Sequence, residues 1–383
     1  MHNKLVIGII GIDFNSGNLG CQALGYAFYD NLEKFSDRTI ECVFLQNETG
    51  EEEIEAYGNI SFRFEKCASD KYSLIKKTRS FVDECDVIVD FTYGDSFSDI
   101  YGVKRLIRFC LEKIIVIRKK KRLILAPQTY GPYNKKISKK IAKYILEKAD
   151  AVAARDDISA EVVEAVTGRK VDILTDMAFL LPYEVKEKSD KKKAGINISG
   201  LLWNGGYNEN NQFGLMTDYR KYIMKTIDYL KQKGYEIHLI SHVTTKDPDN
   251  IENDWSAINE IVEKDTDIVF AKSFKNPIEA KTYIAQMDIF LGARMHATIA
   301  GVSTNVATIP FSYSKKFEGL FGSIKYPYII SAMDMSTEEA VEQTQNYIDH
   351  VEDIKNGLFE TQKVIEQKTE EMTGWFKEEL RKC

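Results

Sequence analysis

The stretch DIFLGARMHATIAGVSTNVATIPFSY, residues 288–313, indicates how the chain folds. Residues 288–291 close an apolar run that is typical of a buried strand, and the small residues from Thr298 to Gly301 are suited to the start of a helix. Gly292 allows the chain to turn between them. A strand, a tight turn and a helix form one unit of an α/β sheet, with Arg294 and His296 at the turn.

Arg294 and His296 are the first candidate functional residues. Arginine binds anions through a planar fork of N–H groups, and histidine can hold or release a proton near neutral pH. Because loops at strand ends often carry function, the pair suits an anionic substrate that must be protonated. The alternative is a structural ion pair at Arg294 and a hydrogen-bonded core histidine at His296.

Length and composition favour a two-domain globular protein. The chain has 383 residues, of which 44% are hydrophobic and 29% charged, and a single core rarely extends over so many residues. No run approaches the ~20 apolar residues of a membrane span. Residues 5–12 resemble the core of a signal peptide but lead into a polar glycine loop, so we interpret them as a first strand and predict a cytoplasmic protein.

The cysteines and the acidic residues predict no metal site. The six cysteines form no C-x-x-C pair, a pattern that favours reduced thiols over disulfides or zinc. The acidic residues between 247 and 254 lack the spacing of a calcium loop. We therefore expect neither a metal nor a cofactor.

Charge is distributed very unevenly. The net charge is −6, which argues against a general nucleic-acid binder. Residues 104–148, here called the basic belt, contain fifteen Lys or Arg against two Glu, a balance of +13, so the remainder carries −19. Such segregation predicts an anionic surface as a partner, although a solvated helix face is the simpler interpretation.

Short apolar runs alternate with helical patterns along the first half of the chain, which predicts a mostly parallel sheet. The runs are residues 5–12, 41–45, 86–91, 122–126 and 151–154. The glycine loop after the first run is not a G-x-G-x-x-G motif, so a dinucleotide is not indicated. Asp95, Ser96, Asp99 and Gln128 follow two of these runs and would gather at one edge of the sheet, where each either binds a ligand, caps a helix or stabilises a turn. Asn18 in the first glycine loop is a further ligand candidate, with a simple tight turn as the alternative, and Arg155 after the last run is compatible with anion binding. For Arg155 a buried Arg–Asp pair is the stronger alternative.

A second α/β set follows a charged linker at residues 181–193. Strands are predicted at 194–199, 236–240 and 267–271, helices near 219–231 and 277–286, and a charged helical tail from 336. His242 follows the second of these strands and is a second histidine at a sheet edge. We assign residues 1–185 to an N-terminal Rossmann-like domain and 194–383 to a C-terminal one, with a cleft between their strand ends, and a late helix of the second can cross back to the first.

Seven of these polar segments resemble, in wording and order, the polysaccharide pyruvyl transferase family. They are FNSGNLGCQAL (14–24), YGDSFSDIYG (93–102), PQTYGPY (127–133), AVAARDDIS (151–159), NISGLLWNGGY (197–207), ISHV (240–243) and GARMHATIAG (292–301). The resemblance implies two Rossmann-like domains in the GT-B arrangement, with the acceptor on the N-terminal side and the donor on the C-terminal side. It also implies an activity, in which phosphoenolpyruvate supplies a pyruvyl group that becomes a ketal on two sugar hydroxyls.

The resemblance places the Arg-x-His pair of the family on Arg294 and His296. In that chemistry His296 is the proposed acid, Arg294 binds phosphate or carboxylate bidentately, and Asp95 is the proposed base or orienting group. His242 is the alternative acid. Many family members have an arginine where this chain has 197–200, so other cations must contribute to donor binding. The predicted substrate-binding residues are Asn18, Ser96, Gln128, Arg155, Ser199, His242 and Lys315.

The expected partners are phosphoenolpyruvate as co-substrate and a sugar acceptor from a surface polysaccharide, such as an exopolysaccharide or capsule, or its lipid-linked precursor. A lipid-linked acceptor lies at the membrane, so the basic belt predicts peripheral contact with the inner face of the cell membrane. Two alternatives remain: a GT-B glycosyltransferase with a nucleotide-sugar donor, and a non-catalytic sugar-binding protein that stacks sugars on Trp203, Tyr207 and Phe213.

Overall fold

The computed structural model describes residues 4–47, 60–67, 71–187, 190–245, 247, 249–271 and 273–383. Its contacts divide the chain into two compact units. The first, called the first domain, comprises residues 1–15, 24–180 and 367–383. The second domain comprises residues 16–23 and 181–366.

The first domain is built on a seven-stranded parallel sheet in the order β3-β2-β1-β4-β5-β6-β7. Its strands are β1 (Leu5–Ile10), β2 (Ile40–Asn47), β3 (Ile60–Cys67), β4 (Val87–Asp90), β5 (Arg122–Gln128), β6 (Ala151–Ala154) and β7 (Asp172–Ile173). The helices along this part of the chain are α1 (Leu19–Asp30), α2 (Leu32–Phe35), α3 (Lys71–Glu84), α4 (Val103–Arg118), α5 (Lys136–Lys148) and α6 (Asp157–Thr167). Helices α3, α4 and α5 cover one face of the sheet and form a buried cluster with its central strands.

The second domain has a six-stranded parallel sheet in the order β10-β9-β8-β11-β12-β13. Its strands are β8 (Lys193–Asn197), β9 (Glu236–Ile240), β10 (Val269–Ala271), β11 (Ile289–Gly292), β12 (Ala307–Ser312) and β13 (Ile330–Ser331). The following helices are α7 (Gly200–Trp203), α8 (Tyr219–Gln232), α9 (Asp254–Val262), α10 (Pro277–Ile284), α11 (Met295–Ser303), α12 (Lys315–Ser323), α13 (Thr337–Asp349) and α14 (Val351–Arg381).

Both sheets reverse their strand order once. In the first domain the reversal lies between β1 and β4, and in the second between β8 and β11. The loops that leave two such strands run to opposite sides and open a crevice at their carboxyl ends, where α/β proteins commonly bind ligands. These two positions are therefore where sites are expected.

The predicted α/β class with two Rossmann-like domains is confirmed. The strands at 151–154 and 236–240 have the bounds that the sequence predicted. Strand β3 was not predicted, because its apolar residues alternate with polar ones and form no run. Strands β7 and β13 have only two residues each and leave too little pattern to detect.

The domain bounds differ from the prediction at two places. Residues 367–383 group with the first domain and 16–23 with the second, so α1 and the long α14 each contribute to both. At the end of α14, Phe376 stacks on Phe35, with ring centroids 4.9 Å apart, and thereby fills the core of the first domain. Two residues of the predicted linker, 188 and 189, lie outside the described residues.

Two features bear on the expected setting of the protein. In the part of the chain that the structure describes, no helix is both long enough and apolar enough to cross a bilayer. Five cysteines are free thiols, of which Cys42, Cys85 and Cys110 are buried.

Candidate active site

The strand reversal of the second domain brings the family-like segments together. Gly292 at the end of β11 pairs with Asn197 at the end of β8, so the segments that follow these strands start side by side. Helix α11 begins at Met295, three residues before the predicted small-residue run, and Arg294 is its N-cap. His296 therefore lies in the first turn of the helix and not in a loop. The turn consists of Ala293 and Arg294, whereas Gly292, which the sequence predicted to allow the turn, is the last residue of β11.

Asp254 is the centre of a buried hydrogen-bond network at this edge. Its side chain is fully buried. One carboxylate oxygen accepts hydrogen bonds from Gly200 N at 2.9 Å and from Arg294 Nε and Nη2 at 3.1 and 2.7 Å. The other accepts from the backbone N–H groups of His242 and Val243 at 3.0 and 2.8 Å. One carboxylate thus joins the segments after β8, β9 and β11.

Arg294 is held on one side by the protein itself. Besides its bonds to Asp254, Nη2 donates to the carbonyl oxygen of Glu252 at 2.7 Å. Burial disfavours the guanidinium cation, but Asp254 outweighs this effect and raises the pKa of Arg294. Nε donates one hydrogen bond and Nη2 donates two within the protein, so both nitrogens are already in use. The bidentate contact with an anion that the sequence predicted would need Nη2 and is therefore disfavoured.

Asn197 fixes the backbone of the Arg294 segment. Its side-chain oxygen accepts from Arg294 N at 2.9 Å, and its side-chain nitrogen donates to the carbonyl of Ile240 at 3.0 Å. This asparagine occupies the segment in which the resemblance leads one to expect an arginine. Asn197 therefore has a positional role here.

The glycine loop of the first motif packs directly against this site. Asn18 forms an antiparallel bridge with Val243, and its side chain accepts from Gly20 N at 2.9 Å at the start of α1. A Cβ on Gly17 would lie 1.8 Å from the carbonyl oxygen of Thr244, and one on Gly20 would lie 2.4 Å from Nδ1 of His296. Only glycine permits these approaches, and the α1 backbone therefore positions the His296 ring.

His242 lies in the same site but is a poor proton donor. Its side chain is 4% exposed. Burial, followed by the charges of His296 and Arg294, lowers the pKa of His242 to about 3. It is therefore neutral near pH 7, and this disfavours its proposed role as the alternative acid.

The two remaining predicted residues of the second domain differ in their accessibility. Ser199 is buried and caps α7, because its hydroxyl accepts from Leu202 N at 3.4 Å. The hydroxyl predicted to bind substrate is thus used as a helix cap. Lys315 is exposed in the first turn of α12, after β12, so it can reach a ligand at this edge of the sheet.

Two predicted residues of the first domain are buried in its interior. Gln128 is fully buried and donates to the backbone and side-chain oxygens of Asp90 at 3.3 and 3.2 Å. Arg155 is 1% exposed and pairs with Asp176 at 2.8 Å. Burial disfavours its charge, but Asp176, then Asp156 and Asp95, raise the pKa of Arg155. The buried ion pair that the sequence offered as the alternative is therefore present.

Asp95 and Ser96 lie at the strand reversal of the first domain. Asp95 is partly buried and accepts from the Tyr101 hydroxyl at 2.8 Å. The Ser96 hydroxyl accepts from Arg105 Nη2 at 3.2 Å. Asp99 is used structurally, since its carboxylate accepts from the backbone N–H groups of Asn134 and Lys135 at 2.9 and 2.8 Å.

Sequence reasoning missed Asp254 and the positional role of Asn197. Asp254 opens a helix directly after the N-cap Asn253, and an acidic residue in a first turn is an ordinary helix-start signal. Nothing local distinguishes it from a cap. Trp203, in contrast, is only 7% exposed and is covered by Arg220, with the guanidinium carbon 4.8 Å from its ring centroid, so it is not placed to stack on a sugar.

The chain matches a family model described as polysaccharide pyruvyl transferase over residues 18–315. A similar protein of known sequence is the amylovoran biosynthesis protein AmsJ of Erwinia amylovora, 20% identical over 281 residues. That alignment covers 68% of this chain and 65% of AmsJ, so the chain spans less than two thirds of that relative.

Solved structures with the same fold include sugar-nucleotide enzymes. An α,α-trehalose-6-phosphate synthase from Burkholderia multivorans matches with a TM-score of 0.60 and 8% identity, over 99% of this chain and 98% of that one. A UDP-GlcNAc 2-epimerase from Neisseria meningitidis, bound to UDP-GlcNAc, matches with a TM-score of 0.55 and 9% identity, over 96% of this chain and all of that one. These proteins have the GT-B fold, and at such identities the likeness concerns the fold alone.

Proposed function

This chain belongs to the polysaccharide pyruvyl transferase family, and from that premise we propose that it transfers the pyruvyl group of phosphoenolpyruvate to a sugar. Family membership makes it a transferase of polysaccharide biosynthesis. In the proposed reaction two hydroxyls of one sugar form a ketal with the pyruvyl carbon and inorganic phosphate is released. The sugar belongs to a surface polysaccharide, an exopolysaccharide or capsule, or to its lipid-linked precursor.

One observation carries the proposal: the N-terminus of α11, which lies at the strand reversal of the second sheet, carries both an imidazole and a guanidinium. His296 is in the first turn of the helix and Arg294 caps it. The first backbone N–H groups of a helix have no partner within the helix and favour anions. Phosphoenolpyruvate combines a phosphate, a carboxylate and a carbon that must accept a proton, so it matches this combination of groups.

The chemistry needs one acid and one anion site. A proton is added to the methylene carbon of the enol, and the neighbouring carbon becomes cationic. One sugar hydroxyl attacks that carbon and its proton passes to the proposed base, from which it can return to the acid; the C–O bond to phosphate breaks, and the second hydroxyl attacks the same carbon. Two C–O bonds form and one breaks, and the second hydroxyl proton leaves on phosphate. We assign His296 as the acid of the first step.

Arg294 and Lys315 are the proposed anion contacts. The Nη1 side of Arg294 faces away from its protein partners and supplies charge-assisted hydrogen bonds to the phosphate or carboxylate. Because Asp254 balances much of the Arg294 charge, the exposed Lys315 and the helix N-terminus contribute the remaining positive potential. Asp95 remains the proposed base or orienting group for the acceptor.

Ligand-induced stabilisation separates this function from its nearest alternative. Several solved neighbours contain a uridine nucleotide sugar by their description, and a nucleotide-sugar transferase shares this fold. A ligand at 100 times its dissociation constant adds about 2.7 kcal/mol of stability. We expect phosphoenolpyruvate to raise the melting temperature through contacts that include Lys315, whereas pyruvate should not raise it and any effect of a nucleotide sugar should not depend on Lys315.

The matched variants for this measurement are Lys315→Ala and Lys325→Ala. Both remove an exposed lysine near one of the two ends of α12. The stabilisation by phosphoenolpyruvate should shrink in Lys315→Ala and remain in Lys325→Ala. If only a nucleotide sugar stabilises the protein and phosphoenolpyruvate does not, the fold assignment stands but the proposed pyruvyl transfer is wrong.

Peripheral contact with the cytoplasmic face of the membrane stays a prediction, and the exposed surface of helix α5 supports this prediction. Exposed Ile137 and Tyr144 flank Lys140 along one face of this helix, with 50% and 40% of the two apolar side chains accessible. Such a mixture of lysines and apolar tips suits a membrane interface, where each lysine near anionic lipid contributes about 1 kcal/mol. We expect sedimentation with anionic but not neutral vesicles, weakened by Lys140→Glu and not by Lys264→Glu in the second domain.

A further inference from the structure

The first domain contains a cavity of about 510 Å³ at the carboxyl edge of its sheet. Gly11 after β1, Leu45 and Gln46 of β2, and Tyr93 after β4 line one side. Helix α4 lines the other. The cavity therefore lies at the strand reversal between β1 and β4, the position where α/β sheets bind ligands, and its volume is that of a small-molecule site.

The loop after β4 is shaped to place Tyr93 in the cavity wall. Thr92, Tyr93 and Gly94 have φ values of 38°, 55° and 79°, three consecutive residues in the left-handed region. Gly11 permits this turn, because a Cβ there would lie 2.2 Å from Thr92 N. Strained backbone of this kind persists where the surrounding structure supports it and is common at ligand sites.

Three cations of α4 line the cavity: Lys104, Arg105 and Arg108. Among the described residues, neither Lys104 nor Arg105 has a carboxylate within ion-pair distance. In contrast, Lys113 of the same helix is buried in an ion pair with Asp90 at 2.8 Å. Lys113 thus links helix α4 to the sheet through Asp90, whereas the other three cations line the cavity.

Arg105 is held in a defined orientation. Its guanidinium carbon lies 5.0 Å from the ring centroid of Tyr101 and 5.6 Å from that of Phe109, one helical turn away on either side. Its Nη2 donates to the Ser96 hydroxyl at 3.2 Å. An arginine that is oriented in this way loses little entropy when it binds an oxyanion with its remaining N–H groups.

One carboxylate, Glu112, also lines the cavity. Burial raises the pKa of Glu112 to about 7, although Lys113 acts in the opposite direction. Near neutral pH this carboxyl group is therefore partly protonated and offsets only part of the charge of the three cations. The cavity is consequently positive, with the apolar surfaces of Leu45 and Phe109 beside the charges.

We infer that this cavity binds the phosphate or diphosphate group through which the acceptor sugar is carried. Charge-assisted contacts from Arg105, Arg108 and Lys104 are the means by which proteins hold such groups, and the adjoining apolar and aromatic walls accommodate what is attached to them. The assignment of this ligand to the acceptor rests on the proposed function. The anion site itself stands on the geometry of the first domain.

Calorimetric titration of the full-length protein with inorganic pyrophosphate tests the site. Arg105→Gln and Arg108→Gln should each weaken binding by about tenfold or more, the effect of losing one charge-assisted hydrogen bond. Glu112→Gln, which removes the carboxylate, should tighten it at pH 8. The control is Arg118→Gln, which removes an exposed arginine at the far end of the same helix. No binding, or equal weakening by Arg118→Gln, would overturn the inference.

Two further ligands distinguish the possible sources of the diphosphate. Farnesyl diphosphate represents a lipid-linked acceptor and uridine diphosphate a nucleotide-linked one. If one of these two ligands binds more tightly than pyrophosphate and Arg105→Gln removes that gain, the result supports the site and identifies the carrier. If the affinities are the same with and without Arg105, the site is rejected. This test can fail or succeed independently of the proposed function, because binding of phosphoenolpyruvate is tested with variants of Lys315 and His296, which belong to the other domain.

Discussion

His296→Gln should lower the turnover number for phosphate release from phosphoenolpyruvate by about 10²- to 10⁴-fold, the usual contribution of a positioned general acid. Donor binding should survive, since the proposed anion contacts are Arg294, Lys315 and the N-terminus of α11. The expected result is therefore a loss in turnover with a nearly unchanged dissociation constant for phosphoenolpyruvate. Steady-state kinetics and melting curves of the same variant measure the two quantities.

His350→Gln is the matched control, because it removes an exposed imidazole from the second domain. Gly20→Ala should act on the same step as His296→Gln, since the added Cβ would lie 2.4 Å from Nδ1 of the ring and must displace it. Turnover close to that of the unaltered protein in His296→Gln would reject this residue as the acid. A parallel loss in His350→Gln would show that the effect is not specific to the site.

Asp254→Ala should destabilise the protein by about 3–5 kcal/mol, because it leaves the buried Arg294 cation without its partner. It also removes the acceptor of three backbone N–H groups, those of Gly200, His242 and Val243. Typical domains have only about 5–15 kcal/mol of stability in total. Urea unfolding, followed through the transition that involves the second domain, should therefore show a large shift of the midpoint.

Asp249→Ala provides the control, since this carboxylate is exposed five residues earlier in the same loop. It should change the midpoint little. Arg294→Ala should also destabilise the protein strongly, so loss of donor binding in that variant alone would not identify a ligand contact. Equal midpoints for Asp254→Ala and the unaltered protein would show that the carboxylate does not hold the site together.

Local sequence patterns predicted the element types well where the apolar period was clear. Strand 151–154 is fully buried in its parallel sheet and strand 236–240 is buried after its first residue, and such strands appear in sequence as continuous apolar segments. The start of α11 was placed three residues late, because the prediction used the small residues from Thr298 and not the turn at Ala293 and Arg294. The grouping of residues 367–383 with the first domain depends on packing of Phe376, which no local pattern reveals.

The sequence predicted the positions of candidate residues along the chain better than the accessibility of their side chains. Arg294, His296 and His242 were selected from the sequence because they follow strands, and the strand reversal does bring their segments together. Burial then separates the candidates: Gln128 and Arg155 also follow strands, but their side chains bond to Asp90 and Asp176 within the first domain. Position after a strand predicts the edge of the sheet and not the accessibility of the side chain.

By itself, the sequence determined the two parallel sheets, the segments at their carboxyl edges and the family to which the chain belongs, because each depends on residue types over short windows. Only the tertiary structure decided that Asp254 joins three loops, that Nε and Nη2 of Arg294 are bonded within the protein, and that α4 turns three cations toward a cavity. These properties depend on distances between residues far apart in the chain. Burial and ion pairing determine the charge state of each side chain and whether a ligand can contact it. Burial and ion pairing arise only when the sheets are assembled.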